Sequence, residues 1–470
     1  MPNAITTRCL LHETMAGYPA RKSSSKKHEN AVTRLQSILR GNRQSRKGGT
    51  YAVCSAHPVV IQASIQQSLA DQSLLHVEST SSQVNQFGGY TRWTPRQFAE
   101  WIHSSAKNAG LPADRVLLGG DHLGPFPWRN EGSSLAVDRA CKLVRDCVSA
   151  GYQKIHLDAS MACADDPRPA LPEQTIAARA ALLCQAAEEA HREMPSSSPE
   201  PVYVIGTEVP TPGGESHDSG EITVTQAEDV HRSMEIFRSA FVKLGLQAAW
   251  ERVIALVVQP GVDFAANSIV DYKRLKARSL SESLSSHPSI VLEAHSTDYQ
   301  SPQALSEMVE DHFAILKVGP WLTFAFREAV LALSSIEREM FAGASGSRMS
   351  QVREALNSAM LSDPSQWQSY YHGDEDEIRR DRIFSFSDRC RYYWNHSAVQ
   401  EEFGRLLQNL SASPIPLSLI SQYLPLQYEA VRAGEVGTSP EQLIQHHIRR
   451  VLQIYAGACG SANPCCASPD

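Results

Sequence analysis

No stretch of about 20 consecutive apolar residues occurs in this 470-residue sequence, so no membrane-spanning helix is expected. Residues 1–30 lack the continuous apolar core that a secretory signal needs, and the expected location is the cytoplasm. Positive charge is not in excess. Against 51 Asp and Glu stand 44 Lys and Arg, a formal charge of −7, without the basic face of a nucleic-acid or anionic-lipid binder. The ten cysteines show no CxxC and no regular spacing, so a disulfide framework is not expected. GxxxxGKS/T and a strand-linked GxGxxG are both missing, which removes support for a P-loop kinase, a Rossmann dehydrogenase or a bound nucleotide.

What is present is a repeat. After a polar, basic stretch (1–49) with helical spacing only over Ala31–Leu39, short β-branched runs alternate with longer amphipathic segments. Strands are predicted at Tyr51–His57, Leu74–Ser79, Arg115–His122, Lys154–Ser160, Val202–Val209, Val253–Gln259, Ile290–Ser296 and Phe313–Val318. Helices are predicted between them, as at Pro95–Ala109, Ser133–Ala150, Leu171–His191, Ala227–Gly245 and Pro302–Asp311, with Trp321–Glu339 closing the series. Eight near-continuous apolar strands alternating with helices indicate an α/β fold, a (β/α)8 TIM-type barrel over 50–340, with an open doubly wound sheet as the alternative. A helical cap or interface region (341–455) and a flexible tail (456–470) follow, and the first 49 residues read as a partly disordered arm with an entry helix.

In such a barrel the active site forms at the carboxyl ends of the strands, and here those ends are polar. In order they offer Ser55 and His57, Glu78 and Ser79, Asp121 and His122, His156 and Asp158, Glu208, Gln259, Glu293 with His295 and Ser296, and Lys317. Any one of them is explained by a hydrogen bond at a strand terminus; eight in a row are not explained by packing. The imidazoles of His122 and His295 with the Glu208 carboxylate form an N2O set suited to a divalent metal with open positions. Asp121, next to His122, is placed to move a proton, or else to cap a turn. His156 and Asp158 share a strand face and can orient each other or a substrate hydroxyl. Lys317 is a Schiff-base candidate or, preferred here, a phosphate-binding cation, with Ser296, Thr297 and Gly319 beside it. Glycine pairs at Gly88-Gly89, Gly119-Gly120 and Gly213-Gly214 allow close backbone approach to an anion.

The segments Val53-Cys54-Ser55-Ala56-His57-Pro58, Gln83-Val84-Asn85-Gln86-Phe87-Gly88-Gly89-Tyr90, Gly119-Gly120-Asp121-His122-Leu123-Gly124-Pro125, Ile205-Gly206-Thr207-Glu208-Val209-Pro210 and Glu293-Ala294-His295-Ser296-Thr297-Asp298-Tyr299-Gln300 resemble the GatZ/KbaZ family. So do Lys154 to Met161, His312 to Pro320, Ser385-Phe386-Ser387-Asp388-Arg389 and Ile420 to Pro425, and the likeness runs from about Tyr51 to Tyr455. These are the Z-type subunits of class II D-tagatose-1,6-bisphosphate aldolase. The resemblance implies a barrel protein of tagatose or galactitol catabolism, with a ketohexose phosphate as substrate, a class II aldolase catalytic chain as a partner and a homo- or hetero-oligomeric state. Family members are described as aldolase subunits, as 4-epimerases interconverting D-tagatose 6-phosphate and D-fructose 6-phosphate, or as stabilising subunits without chemistry. The older kinase label finds no motif here.

Asp121-His122-Leu123-Gly124 is also similar to the Asp-His-Gly segment of catalytic class II aldolases, whose aspartate transfers a proton and whose histidine binds zinc. Glu208 and His295 resemble later metal positions, whereas Gln259-Pro260-Gly261 stands where those enzymes place another histidine. The expected site is then Asp121 for proton transfer with Asp158 and His57 as further catalytic residues, and His122, Glu208 and His295 for zinc or a similar divalent ion. Ser55, Glu78, Asn85, His156, Gln259, Ser296, Thr297, Lys317 and Gly319 are expected to bind substrate and phosphate.

Overall fold

A computed structural model describes residues 30–168, 170–206, 222–341 and 349–461. The arm before residue 30, Glu208, the Gly213-Gly214 pair and the tail from 462 lie outside the described residues. Eight parallel strands close into a barrel: β1 (Thr50–Val53), β2 (Leu75–Thr80), β3 (Val116–Leu123), β4 (Lys154–Leu157), β5 (Val202–Ile205), β6 (Val253–Val258), β9 (Val291–Ala294) and β10 (Ile315–Val318). The remaining two, β7 (Asp263–Phe264) and β8 (Ile269–Val270), form a small hairpin after β6. Closure is made by β1 and β10, in register from Thr50 opposite Ile315 to Val53 opposite Val318.

Each barrel strand is where the sequence predicts one, and the ends differ for a physical reason. The first, fourth and seventh predicted strands stop at Val53, Leu157 and Ala294, because the polar residues beyond them leave the ladder and enter loops, and β5 is described to Ile205. The second and third continue to Thr80 and Leu123, since Leu75 to Thr80 pair in unbroken register with Val116 to Asp121. A helix at Pro58–Asp71 and another at Arg274–Ser283 complete the alternation.

The entry helix runs over Ala31–Ser45, beyond the predicted Leu39, and starts at an Asn30–Thr33 capping box. Its Ala31, Val32, Leu35 and Leu39 pack with Leu117, Val204, Val257 and Val291, so this helix plugs the amino-terminal mouth of the barrel. Asn42 extends it: its amide donates to the carbonyls of Gly48 (2.9 Å) and Val309 (2.8 Å).

Beyond the barrel helix Pro320–Phe341 the described chain is helical: Val352–Ser362, Glu375–Phe384, Ser397–Ser411, Leu417–Tyr423, Pro425–Arg432 and Pro440–Ala458. The last helix returns to the barrel, and Ala456 and Cys459 are buried although they fall in the segment expected to be a flexible tail. Gly49 donates its N–H to the Cys459 carbonyl (3.1 Å), tying that end to the start of β1. Among these elements the Ser385–Arg389 segment is anchored by a buried Arg327–Asp388 ion pair (3.1 Å) and by Thr323, which donates to Asp388 (2.7 Å).

Candidate active site

Alternation along the strands sends residues i and i+2 to the same face, and in this barrel the inward face carries charge. His76 and Glu78 on β2, Lys154 and His156 on β4, Glu293 with His295 after β9, and Lys317 on β10 are all buried. Lys154 Nζ sits between Glu78 (2.7 Å) and Glu293 (2.6 Å). Lys317 Nζ touches Glu78 and Asp121 (2.8 Å) and lies 3.6 Å from Glu293. Gly119 makes the room, since a Cβ there would stand 2.9 Å from Glu78 Cγ and 3.1 Å from the Lys154 carbonyl.

Burial pushes these carboxyls up, but the ammonium groups outweigh it. Lys154 and Lys317 bring Glu78 down to about 2 and Glu293 well below its usual range, and His122 with Lys317 does the same for Asp121. Asp158 is also lowered, against burial, by its hydrogen bond to His122. Glu78, Glu293 and Asp121 therefore face the two ammonium groups while Asp158 faces His122, and the four buried carboxylates leave a surplus of negative charge that suits a bound cation.

The histidines give that cation an address. His122, whose backbone takes a left-handed φ of 47° at the end of β3, places Nδ1 2.8 Å from Asp158 Oδ2. Ser160 fixes the other oxygen of Asp158 through its N–H (3.0 Å) and hydroxyl (2.6 Å). His295 places Nε2 3.0 Å from Glu293 Oε1. Each carboxylate calls for a proton on the nitrogen it faces, so in the neutral rings His122 Nε2 and His295 Nδ1 both carry lone pairs. Those two nitrogens are 3.2 Å apart. Two lone pairs at that distance repel unless a proton or a metal cation lies between them, and the spacing suits two ligands of a tetrahedral ion with nitrogens at about 2.0–2.1 Å. Burial lowers His295 to about 4, keeping it neutral, while Asp121 and Asp158 outweigh burial and raise His122.

A third imidazole, His156, lies with its ring centre 5.1 Å from His122 and 5.2 Å from His295, and its Nε2 is buried without a partner. Asp121, His156, Glu293 and His295 each bring one donor atom within 4.8 Å of the others. The residues present fit a divalent ion.

Above this floor lies a cleft of about 340 Å³. Asp121, His122, His295, Ser296, Lys317 and Gly319 line it, and so do Ser365, Gln366, Ser369, Tyr370, Arg389, Arg391 and Tyr392 of the carboxyl-terminal region. Several expected contacts are placed elsewhere. His57 packs its ring 4.3 Å from Phe326 and caps the Pro58–Asp71 helix. Ser55 accepts from the His57 N–H (3.2 Å), and Asn85 is spent on the Phe87 and Gly89 N–H groups (2.9 and 3.1 Å). Gln259 folds back to accept from Gly261 (2.8 Å) and Val262 (3.1 Å). Thr297 is buried and donates to the Lys317 carbonyl (2.5 Å).

The amides expected to cradle a phosphate beside Gly319 are already taken: Asp298 accepts from Gly319 (3.0 Å) and Trp321 (2.8 Å). Lys317 is likewise committed to carboxylates. Sequence reasoning thus overlooked Lys154, Glu293 as a member of the cluster, Asp298 and the carboxyl-terminal arginines. The i, i+2 spacings of His76/Glu78, Lys154/His156 and Glu293/His295 inside otherwise apolar strands carried the signal for the first two.

Over residues 35–460 the sequence matches the family model described as D-tagatose-1,6-bisphosphate aldolase subunit GatZ/KbaZ-like. The chain is similar to the crystal structure of a probable tagatose 6 phosphate kinase from Sinorhizobium meliloti 1021, with a TM-score of 0.79 and 41% identity over 87% of this chain and 100% of that one. More distant are a putative fructose-1,6-biphosphate aldolase from Coccidioides immitis (TM-score 0.41, 12% identity, 81% and 99% covered) and the YdjI aldolase from Escherichia coli K12 (0.39, 10%, 81% and 98%).

Proposed function

From the premise that the chain belongs to the GatZ/KbaZ-like family of D-tagatose-1,6-bisphosphate aldolase subunits, we propose that it carries its own site for C3–C4 bond chemistry on a ketohexose phosphate. One observation carries this reading: His122 Nε2 and His295 Nδ1 lie 3.2 Å apart, a spacing that fits a shared proton or two ligands of one ion, with ionised Asp121 beside them, in a cleft of sugar-phosphate size. The kinase in the name of the Sinorhizobium relative is not carried over, since the sequence has no phosphate-cradling GxxxxGKS/T loop.

His295 and His156, whose donor atoms lie within 4.8 Å of each other and of Asp121 and Glu293, would hold the divalent ion, with His122 Nε2 3.2 Å from His295 Nδ1. When bound, the ion supplies Lewis acidity toward the C2 carbonyl. Asp121 takes the proton of the C4 hydroxyl. The C4–O bond becomes a carbonyl, the C3–C4 bond breaks, and its electron pair moves to C3 and into the C2 carbonyl. Lys317, 2.8 Å from Asp121, holds that carboxylate in place. Asp158 fixes the His122 ring, and Glu293 fixes His295. If the aldehyde fragment departs, the net reaction is aldol cleavage.

The cleft wall formed by these residues of the carboxyl-terminal region favours a second reading, in which the fragment is retained, turns and re-adds as a C4 epimer. The purified chain incubated with D-tagatose 1,6-bisphosphate and D-tagatose 6-phosphate, with divalent ion or with chelator, decides between them. Triose release marks the aldolase, fructose 6-phosphate the epimerase, and activity should vanish in Asp121→Asn. Turnover unchanged in that variant would remove Asp121 from the chemistry, and inertness toward both substrates with ion and with a class II catalytic chain added would overturn the reading.

A further inference from the structure

We propose that Arg389, assisted by Arg391, is the phosphomonoester-binding site of the cleft, supplied by the carboxyl-terminal helical region and not by the barrel loops. The inference deepens the reading above by naming what holds the substrate's phosphate, and it rests on that reading for the identity of the sugar.

Arg389 is 2% exposed, yet no ion pair reaches it among the described residues. Its Nη1 donates to the Tyr392 hydroxyl at 3.3 Å, while Nε and Nη2 are buried with no partner. The guanidinium lies against the Tyr370 ring face, 3.1 Å from its centre, which fixes its plane. Three other buried cations are neutralised, Lys154 by Glu78 and Glu293, Lys317 by Glu78 and Asp121, and Arg327 by Asp388, while buried Arg382 donates to the Asn357 side-chain oxygen (2.9 Å). An unpaired buried charge with open donors is costly, and the cost is offset when an anion supplies the missing acceptors. Planar guanidinium donors match phosphate oxygens two at a time.

Arg391 adds a second charge without a carboxylate at contact distance. Its Nη1 donates to the carbonyls of Ser387 (2.5 Å) and Asp388 (3.0 Å), and its Nη2 to Tyr392 (2.8 Å). The Tyr392 hydroxyl thus accepts from both arginines, and their charge outweighs burial and lowers it, a sign of local positive potential. Asp298, the acid on this side, is occupied by the Gly319 and Trp321 amides. The remaining cleft residues from this region, Ser365, Gln366, Ser369 and Tyr370, are neutral.

The test is calorimetric titration of the full chain in chelator with inorganic phosphate, D-tagatose 6-phosphate and free D-tagatose. Wild type should bind both phosphates saturably and the sugar phosphate at least about tenfold more tightly than free tagatose. Arg389→Gln should lose about tenfold or more for both phosphates, Arg389→Lys less, and divalent-ion affinity should not change. Arg391→Gln, which leaves the buried guanidinium in place, should lose a smaller factor for both and covers the case in which Arg389→Gln does not fold. No saturable phosphate binding by wild type, or equal affinity in the Arg389 and Arg391 variants, overturns the proposal. Because no turnover or metal enters the measurement, an inert chain that still binds phosphate through Arg389 would refute the proposed reaction and leave this site standing.

Discussion

Lys154 offers a direct test of whether the buried charges act as one balanced set. Replacing it by Met keeps much of the side-chain volume but removes the ammonium wedged between Glu78 at 2.7 Å and Glu293 at 2.6 Å. Breaking a buried pair by deleting one partner costs about 3–5 kcal/mol, because the carboxylates remain buried and lose their counter-charge. Unfolding entropy grows with chain length, so for a chain this long each kcal/mol corresponds to about 1 °C in melting temperature, and Lys154→Met should melt about 3–5 °C lower. The sharper measurement is the double variant Lys154→Met/Glu78→Gln. Removing one of the stranded negative charges should recover at least about 1 kcal/mol relative to Lys154→Met alone, so the two losses combine to less than their sum. Differential scanning fluorimetry in chelator, at neutral pH and matched protein concentration, reads both. Losses that simply add, or a double variant less stable than Lys154→Met, would show that the cluster is not electrostatically coupled.

Three further outcomes are expected. Asp158→Asn removes the charge that fixes the His122 tautomer, and divalent-ion affinity should fall about 10–100-fold with the melting curve little changed; an unaltered affinity by ion titration would separate Asp158 from the site. Gly124→Ala places a Cβ 1.5 Å from the Asp158 carbonyl, so β3 and the loop after β4 must part; a loss of about 1–3 kcal/mol or more, with weakened ion binding, is expected in melting and titration, and wild-type behaviour would contradict the packing. Burial raises Asp298 to about 6, above its unfolded value of 3.8. The folded form then holds more protons than the unfolded one between those values, so this group's contribution is present at pH 4 and lost as pH rises through 6, by about 3 kcal/mol. The wild-type stability relative to Asp298→Asn should therefore decline over that window, and a flat difference would refute the burial argument.

Period and alternation carry a great deal of this protein. Eight buried apolar runs spaced by amphipathic segments specify a parallel sheet, since parallel strands need helical crossovers and outer cover, and the count of eight favours the closure that the structure shows. Strand-end position also marked His122, His295, Asp121 and Asp158, because a barrel directs its strand ends to one mouth. Strand limits were less legible: Ser55 and His57 read as a continuation of β1, but β1 ends at Val53, the Ser55 hydroxyl accepts from the His57 N–H, and His57 stands at the N-cap position of the next helix.

What only the tertiary structure decided is which polar groups satisfy one another. Gln259, Asn85 and Thr297 look like binding residues in one dimension and are consumed by backbone groups in three. Lys317 reads as a free cation until Glu78 and Asp121, from β2 and β3, are found against it. Arg389 shows the reverse: more than 60 residues beyond the last strand, it reads as ordinary surface charge, and only the Arg327–Asp388 anchor brings it, unpaired, to the barrel mouth. Periodicity is local and survives in the chain; compensation of charge is a property of the folded neighbourhood, assembled from segments far apart in sequence.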